Sequence, residues 1–384
     1  MFFIGQLIKF IKTFHFGNPK KADIVIFDKV SGDVIIKTIL QDMPYVILPA
    51  HGEFIYISPQ ILFSYIINIF RRINLIEMRL NQSDINSYFL PCLKIIEPKI
   101  VITFIDNSST FNDLSENYRN AEFIAIQNGS RGTDNLVDSL PLINGKKIRY
   151  NLSHFVCFGQ NEVDIYKKFE HTIIHAYPVG SLKAGYYRER IDIKKVQWHY
   201  NICLISQYRE SIMEGTSYPE IKRGLLILFD FLKRFVQENG VKFCIAMCPA
   251  DTEKQRRFYQ NFFGDQVELI QQKPSSYFSS YEAMDSSTLS LTQDSTLGLE
   301  AFGFGKKVLF CNFTEDDRYN INCPDLCKIT TIDYNLFSQK LKNLLLMDQK
   351  EYLEQTETDR KYLMNYNPDF PAHLVVRQLI EKYL

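Results

Sequence analysis

The sequence predicts an α/β protein whose two doubly wound, Rossmann-like domains face each other across a cleft. The chain has 384 residues, short apolar strands alternate with amphipathic helices, and the alternation stops and restarts near residue 190. A chain of this length exceeds one ordinary core and suits two domains of somewhat under ~200 residues each. Strands that alternate with helices favour parallel sheets covered on both faces.

The first series of elements is expected to form an N-terminal domain over residues 1–185. Six apolar segments predict its strands, at 22–27, 45–49, 99–105, 122–127, 154–159 and 172–177. A helix is predicted at 58–72, with Ser58 as N-cap and Pro59 at the first helical position, and another at 161–169.

The second series is expected to form a domain over residues 200–350. Its strands are predicted at 200–206, 242–247, 267–271, 288–292 and 306–312, with helices at about 219–239, from Asp251 and from Thr296. Polar residues 182–199 are predicted to be a linker, and helices over 351–384 are expected to pack back on the first domain.

Composition and motif content disfavour several classes of function. Lys+Arg and Asp+Glu are both 44, so the zero net charge disfavours a nucleic-acid partner. The eight cysteines lie mostly in apolar runs and are predicted to be buried hydrophobes. The sequence lacks the P-loop, dinucleotide-binding and serine-hydrolase motifs, and it lacks a DxD or H-E-x-x-H metal motif, so neither a metal nor a cofactor is expected.

The N-terminus has the pattern of a short amphipathic helix. Apolar residues recur at helical spacing within residues 1–16, and Lys9 and Lys12 lie off that stripe. An interfacial anchor and a helix packed on its own domain explain the pattern equally well. Because no apolar run approaches the ~20 residues of a membrane span, we expect a cytoplasmic protein, with a peripheral inner-membrane contact through residues 1–16 as one alternative.

The strongest chemical signal is the segment TQDSTLGLEAFGFGKKVLF at 292–310. Asp294, Ser295 and Thr296 stand where a strand gives way to a helix N-terminus, a place that suits an anion. Gly298 would let a ligand approach the first turn, and Glu300 could accept hydrogen bonds from ribose hydroxyls. Ordinary helix capping explains the two hydroxyl residues equally well.

This segment resembles the donor-nucleotide helix of GT-B glycosyltransferases. It is similar to that of surface-carbohydrate transferases that use CMP-activated nonulosonic acids or Kdo, and to that of CDP-glycerol polyol-phosphate transferases. The resemblance implies a metal-independent transferase in which Ser295 and Thr296 hold the CMP phosphate and Glu300 binds the ribose. The second domain would then bind the nucleotide-sugar donor and the first domain the acceptor.

Two further donor-side residues follow from the resemblance. The segment NICLISQYR (201–209) resembles the opening strand of the second domain in the polyol-phosphate enzymes, which places Arg209 at the phosphate. Sialyltransferase-like families carry His-Pro where this chain has Cys248 and Pro249. A thiol cannot replace an imidazolium, so either another cation, such as Arg209 or Lys273, takes its place or the CMP assignment fails.

The first domain offers candidates for the acceptor side of the cleft. Asn128 and Gly129 follow a predicted strand directly, and Asn128 stands where the polyol-phosphate enzymes carry His. Arg131 in the same turn could bind a substrate carboxylate or phosphate by a two-pronged contact. A tight turn with a solvated arginine is the structural alternative.

Three residues at predicted strand ends are candidates for the catalytic base. They are His51, Asp28 and Asp106. A His or Asp at the carboxyl end of a parallel strand is well placed to take a proton, although each such residue taken alone is more often a loop cap than a catalyst.

These residues favour a glycosyltransferase that moves a sugar from a CMP-activated donor to a capsule, surface-glycan or lipid-linked glycan acceptor. The donor sugar would be pseudaminic, legionaminic or sialic acid, or Kdo. A CDP-glycerol-type transferase, a nucleotide-sugar 2-epimerase and a non-catalytic glycan-binding protein remain alternatives.

Overall fold

The computed structural model of the chain describes residues 14–29, 32–50, 54–72, 83–131, 142–143, 146–147, 149–191, 197, 199–215, 218–247, 253–264, 267–271 and 278–384. It is an α/β structure built on two six-stranded sheets, each parallel throughout the pairings described. The predicted fold class is therefore confirmed.

The first half of the chain contains ten strands and five helices among the described residues. In chain order they are β1 (Phe14–Phe16), β2 (Ile24–Phe27), α1 (Gly32–Thr38), β3 (Tyr45–Leu48), β4 (Ile55–Ile57), α2 (Pro59–Arg72), α3 (Ser83–Ile96), β5 (Ile100–Thr103), α4 (Ser109–Asn117), β6 (Glu122–Ile126), β7 (Leu142–Ile143), β8 (Lys146–Lys147), β9 (Asn151–Cys157), α5 (Gln160–Lys168) and β10 (Thr172–Pro178).

The second half begins with a helix and then repeats the strand–helix alternation. Its elements are α6 (Leu182–Arg190), β11 (Tyr200–Ile205), α7 (Glu210–Met213), α8 (Pro219–Asn239), β12 (Phe243–Ala246), α9 (Glu253–Phe263), β13 (Glu268–Ile270), α10 (Ser279–Asp285), β14 (Ser287–Thr292), α11 (Thr296–Gly303), β15 (Lys307–Cys311), β16 (Lys328–Ile329), α12 (Tyr334–Leu346), α13 (Gln349–Leu363) and α14 (Ala372–Tyr383).

The order of strands places a switch point in each sheet. The first sheet runs β10-β9-β6-β5-β2-β3, so the connections turn in opposite directions on either side of β2 and β5. The second runs β13-β12-β11-β14-β15-β16, with its switch between β11 and β14. Ligands of open parallel sheets bind outside the carboxyl ends of the strands at such points.

The central strands of each sheet are buried on both faces, which explains why they are almost continuously apolar. In β2, Val25 and Phe27 enter the core on one face, while Ile24 and Ile26 enter the core on the other. The second face is completed by the C-terminal helix α14, which buries Val376 there. The domain limits expected at residues 1–185 and 200–350 stay a prediction.

Two segments differ from their predictions. Phe14–Phe16 form strand β1 and not the end of an amphipathic helix, and the rest of that predicted helix, residues 1–13, lies outside the described residues. Residues 182–190 form helix α6 and are not a linker. The segment is polar in sequence, yet the Arg188 guanidinium is buried. Two hydrogen bonds to the Asp285 carboxylate, of 2.7 and 2.9 Å, compensate for the burial of its charge. The seven cysteines within the described part of the chain are buried free thiols, as predicted.

Candidate active site

A cleft of about 650 Å³ lies between the carboxyl edges of the two sheets. The first sheet contributes the turn after β6 and the start of α5, and the second contributes the turns after β11 and β14. Of the residues predicted for the site, those that line it are Asn128, Arg131, Arg209, Asp294, Ser295, Thr296 and Glu300. The structure therefore brings together side chains that the sequence separates by more than 150 positions.

Helix α11 presents its N-terminus to this cleft. Ser295 is the N-cap, in the extended conformation, and within the described structure its side chain makes no capping hydrogen bond. The N–H groups at the start of a helix have no partner inside the helix. An uncapped end that lines a cleft is suited to bind an anion, and the Ser295 hydroxyl is available to donate a hydrogen bond.

Gln207, which the sequence analysis did not single out, holds the turn before that helix. Its Oε1 accepts hydrogen bonds from the Thr292 hydroxyl (2.9 Å) and from the Gln293 and Asp294 N–H groups (2.9 and 3.3 Å). Its amide nitrogen donates to the Asp294 carboxylate. Gln207 thus ties the carboxyl ends of β11 and β14 together at the switch point.

Asp294 and Arg209 form the charged part of this turn. Burial raises the pKa of Asp294, and the Gln207 hydrogen bond and the Arg209 charge oppose that rise. Arg209 is exposed and lines the cleft as the residue before α7. Its guanidinium is therefore placed to bind a negatively charged group at the α11 N-terminus.

Thr296 already contacts the opposite domain. Its hydroxyl accepts a hydrogen bond of 2.9 Å from the Ser130 N–H. Gly129, the neighbour of Ser130, lies so close that a side chain there would have its Cβ 3.4 Å from the Thr296 hydroxyl oxygen. The predicted turn at 128–131 therefore lies directly against the predicted phosphate site.

Glu300 is buried, and both of its carboxyl oxygens accept hydrogen bonds. The Ser181 hydroxyl donates at 2.5 Å and the Tyr281 hydroxyl at 2.7 Å. Burial raises the pKa of Glu300, and these two hydrogen bonds and the charge of Lys183 oppose the rise. A ribose hydroxyl would have to share or replace one of these partners.

The expectation for Gly298 needs correction. A Cβ at this position would lie 2.6 Å from Cγ2 of Thr292 and 3.2 Å from Cε1 of Phe310. The glycine therefore allows α11 to pack on the sheet, because its open side faces the protein interior and not a ligand.

Asp106 and Arg131 form a buried ion pair at the edge of the first sheet. Arg131 Nε donates to Asp106 Oδ2 at 2.9 Å, its NH2 group contacts Oδ1, and the Tyr166 hydroxyl donates to Oδ2 at 2.6 Å. Arg131 also donates to the Asn128 side-chain oxygen at 2.7 Å. Arg131 was predicted to make a two-pronged contact with a substrate, but it makes that contact with Asp106. Asp106 is therefore the counter-ion of Arg131 and not a free base.

Asp28 lies apart from this arrangement. Asp28 is buried at the end of β2 with φ of 88°, and its N–H donates to the Leu48 carbonyl at 2.9 Å. It does not belong to the described lining of the cleft. His51 and Pro249 lie outside the described residues.

Glu162 is a cleft residue that the sequence analysis missed. It lies in the first turn of α5, where an acidic residue is ordinarily explained by the helix dipole. Its burial beside Asp106 and Arg131 could be found only from the fold.

The described residues contain no group of three or more His, Cys, Asp or Glu that could hold a metal ion. Over the same ranges, none of the helices is long and apolar enough to cross a bilayer.

One family model matches the chain, and it covers more than half of the 384 residues. Residues 124–323 fit a family described as "putative O-antigen biosynthesis protein". The chain belongs to this O-antigen biosynthesis family. The family match therefore connects this GT-B-like structure with surface polysaccharide biosynthesis. No curated protein sequence matches the chain.

Solved structures similar to this O-antigen biosynthesis family member confirm the GT-B fold. UDP-GlcNAc 2-epimerase from Neisseria meningitidis, bound to UDP-GlcNAc, superposes with a TM-score of 0.52 at 14% identity, over 94% of this chain and 99% of the epimerase. A UDP-N-acetylglucosamine 2-epimerase homologue from Listeria monocytogenes gives 0.55 at 13% identity, over 94% and 96%. The wall teichoic acid polymerase TagF, soaked with CDPG, gives 0.55 at 13%, over 95% and 89%.

Proposed function

We propose that the protein is a glycosyltransferase that moves a sugar from a nucleotide-activated donor to a surface-glycan acceptor. The observation that carries the proposal is the uncapped N-terminus of α11 at the switch point of the second sheet, opening into the cleft between the domains. The nucleotide phosphate would bind there, between the Ser295 hydroxyl and the Arg209 guanidinium.

This placement supplies electrostatic catalysis. When the bond from the sugar to the phosphate breaks, negative charge develops on the leaving phosphate. Helix N–H groups that already point to that position stabilise the charge without having to reorganise. Arg209 adds a positive charge on the same side of the cleft. We propose that Glu300 receives the ribose, with Ser181 and Tyr281 holding its carboxylate in place.

We further propose that the donor is a CMP-activated nonulosonic acid or CMP-Kdo. Support comes from the resemblance of 292–310 to the donor helix of such enzymes and from the family match to O-antigen biosynthesis. The first domain would bind the acceptor beside Asn128, Gly129 and Arg131. The base predicted at His51 stays a prediction, whereas Asp28 does not belong to the described lining of the cleft.

Nucleotide binding tests the proposal directly. The melting temperature would be measured with CMP, CDP, UDP and GDP, and we expect CMP to stabilise the protein most. The double substitution Ser295→Ala with Thr296→Val should abolish this shift. Ser108→Ala is the matched control, because Ser108 caps α4 by accepting a hydrogen bond from the Phe111 N–H outside the cleft.

The products separate the related activities. A phosphodiester product, seen by phosphorus NMR, would identify a polyol-phosphate transferase. Conversion of the donor without any acceptor would identify an epimerase. Absence of a shift with all four nucleotides would overturn the transferase proposal.

We also propose that the protein binds a membrane surface beside β1 and α2. Phe16 is 79% exposed and Phe63 is 67% exposed, and Leu62 and Ile66 are each nearly half exposed. Exposed Lys20 lies next to this patch in sequence and would favour anionic lipid. Phe16→Ser with Phe63→Ser should weaken co-sedimentation with phosphatidylglycerol vesicles, and equal binding by the variant would contradict the proposal.

A further inference from the structure

Three adjacent strands of the first sheet end in a cluster of charged and polar groups at the floor of the cleft. Asp106 follows β5, Gln127 and Arg131 follow β6, and Glu162 lies in the first turn of α5, the helix that follows β9. Arg131 and Glu162 both line the cleft. The cluster therefore lies opposite the proposed phosphate site.

Glu162 is the member of this cluster whose bonding is incomplete. Its side chain is buried, with 3% of the residue exposed, and Oε2 makes no hydrogen bond to any residue that the structure describes. The carboxyl group interacts with the side chains of Gln127 and Asn161. Buried polar atoms are almost always paired, so an unpaired carboxyl oxygen at a cleft wall suggests a ligand or a proton.

The charges around Glu162 indicate a proton. The titratable groups that face it are Asp106, Arg131 and the buried Cys157 thiol. Arg131 is held by Asp106, so an ionised Glu162 would be a second carboxylate without a cation of its own. Burial and the Asp106 charge raise the pKa of Glu162 to about 8, against the opposing effect of Arg131.

We propose that Glu162 is the general base that takes the proton from the acceptor hydroxyl. This inference rests on the proposed transferase function. In the ionised form of the enzyme, in which Glu162 has first released its proton to water, the acceptor O–H proton passes to Glu162 Oε2 as the acceptor oxygen forms its bond to the anomeric carbon. The bond from that carbon to the donor phosphate breaks, and the phosphate leaves with the electron pair towards α11. The proton is later released from Glu162 to water.

Arg131 and Asp106 then have a positioning role. Their ion pair fixes the turn at 128–131 and sets the charge that Glu162 experiences. A carboxyl group that exchanges its proton near neutral pH is suited to general base catalysis, because the best proton acceptor has a pKa near the working pH.

The experiment compares wild type with Glu162→Gln and with Glu116→Gln, an exposed residue of α4 that serves as the control. The probe is CMP release from CMP-N-acetylneuraminate, with water or lactose as acceptor. We expect Glu162→Gln to lower kcat about 100-fold or more while the melting shift with CMP is unchanged. The wild-type rate should rise with pH up to about 8, and this rise should be absent in Glu162→Gln.

A spectroscopic readout keeps this inference separate from the proposed function. In the infrared, the C=O band of a protonated carboxyl group should titrate out near pH 8 in wild type and be missing in Glu162→Gln. A CMP shift together with wild-type kcat in Glu162→Gln would overturn the role of Glu162 alone. Absence of the titrating band would overturn it without any activity measurement, whereas the proposed function is tested separately by nucleotide binding and by the reaction products.

Discussion

At the scale of single residues, Gly298 shows how closely α11 packs on its sheet. A methyl group at this position would overlap Cγ2 of Thr292 at 2.6 Å. We therefore expect Gly298→Ala to lower the free energy of unfolding by about 1–3 kcal/mol, as overpacked cores do. Urea denaturation measures the change.

Thr292→Ser provides the matched control for that prediction. It removes the methyl group that overlaps but keeps the hydroxyl that donates to Gln207. The double variant should recover part of the stability lost in Gly298→Ala, so the double-mutant cycle should show favourable coupling. If the two substitutions change the free energy of unfolding additively, the added methyl group at position 298 does not overlap Thr292 in the folded variant.

Residue types at the ends of strands could be predicted from the sequence, whereas their partners could not. Ser295, Thr296 and Glu300 line the cleft as the strand–turn–helix pattern implied. Gln207 is 85 to 87 positions away from the residues it bonds, and Ser181 is 119 positions away from Glu300. Such partners depend on how the two sheets are ordered and placed together, which no local pattern specifies.

At the scale of elements, the strands of the two six-stranded sheets other than β16 were predicted within a few residues, because parallel strands buried on both faces are apolar throughout. Helix α6 was missed for the opposite reason. Its sequence is charged, and a charge is compatible with a buried helix only when a partner from elsewhere neutralises it. Asp285 at the end of α10 supplies that partner, and Tyr187 also donates to it at 2.7 Å.

The Arg188–Asp285 pair should therefore hold α6 on the second domain. We expect Arg188→Met to lower the free energy of unfolding by about 3 kcal/mol, because it leaves a buried carboxylate without its main cation. Lys306 Nζ is 4.0 Å from the carboxylate and can compensate only in part. Arg190→Met on the same helix is the control.

Arg190 is 42% exposed and stacks on the Tyr186 ring, so its loss should cost less than about 1 kcal/mol. Equal effects of the two substitutions in denaturant titrations would show that the buried pair does not stabilise α6.

At the scale of the whole molecule, hydrogen bonds among the described residues join the two domains, and they include contacts at the cleft. The Ser130 N–H donates to the Thr296 hydroxyl, and the Ser181 hydroxyl donates to the Glu300 carboxylate. The Tyr362 hydroxyl of α13 donates to Asp164 of α5 at 2.9 Å. Two of these contacts involve residues that we assign to the donor. Donor binding and the relative placement of the domains should therefore be linked.

The stability of the whole protein should depend on pH through Glu162. Its pKa in the folded protein is about 8, raised by burial and by Asp106 from an ordinary value of 4.5. The protonated group therefore contributes stability that is fully present below pH 4.5 and is lost as the pH rises towards 8. Relative to Glu162→Gln, wild type should lose about 1.4 kcal/mol of unfolding free energy per pH unit within that window.

Isothermal urea titrations from pH 5 to 8 measure this difference. Burial lowers the pKa of His154 and of His373, which also makes stability depend on pH, but both residues are present in both proteins and cancel in the comparison. Glu116→Gln should follow the wild-type curve, because its exposed carboxylate lies outside the cluster. Parallel curves for wild type and Glu162→Gln would mean that Glu162 is already ionised when folded, and the proton assigned to it would have to lie elsewhere.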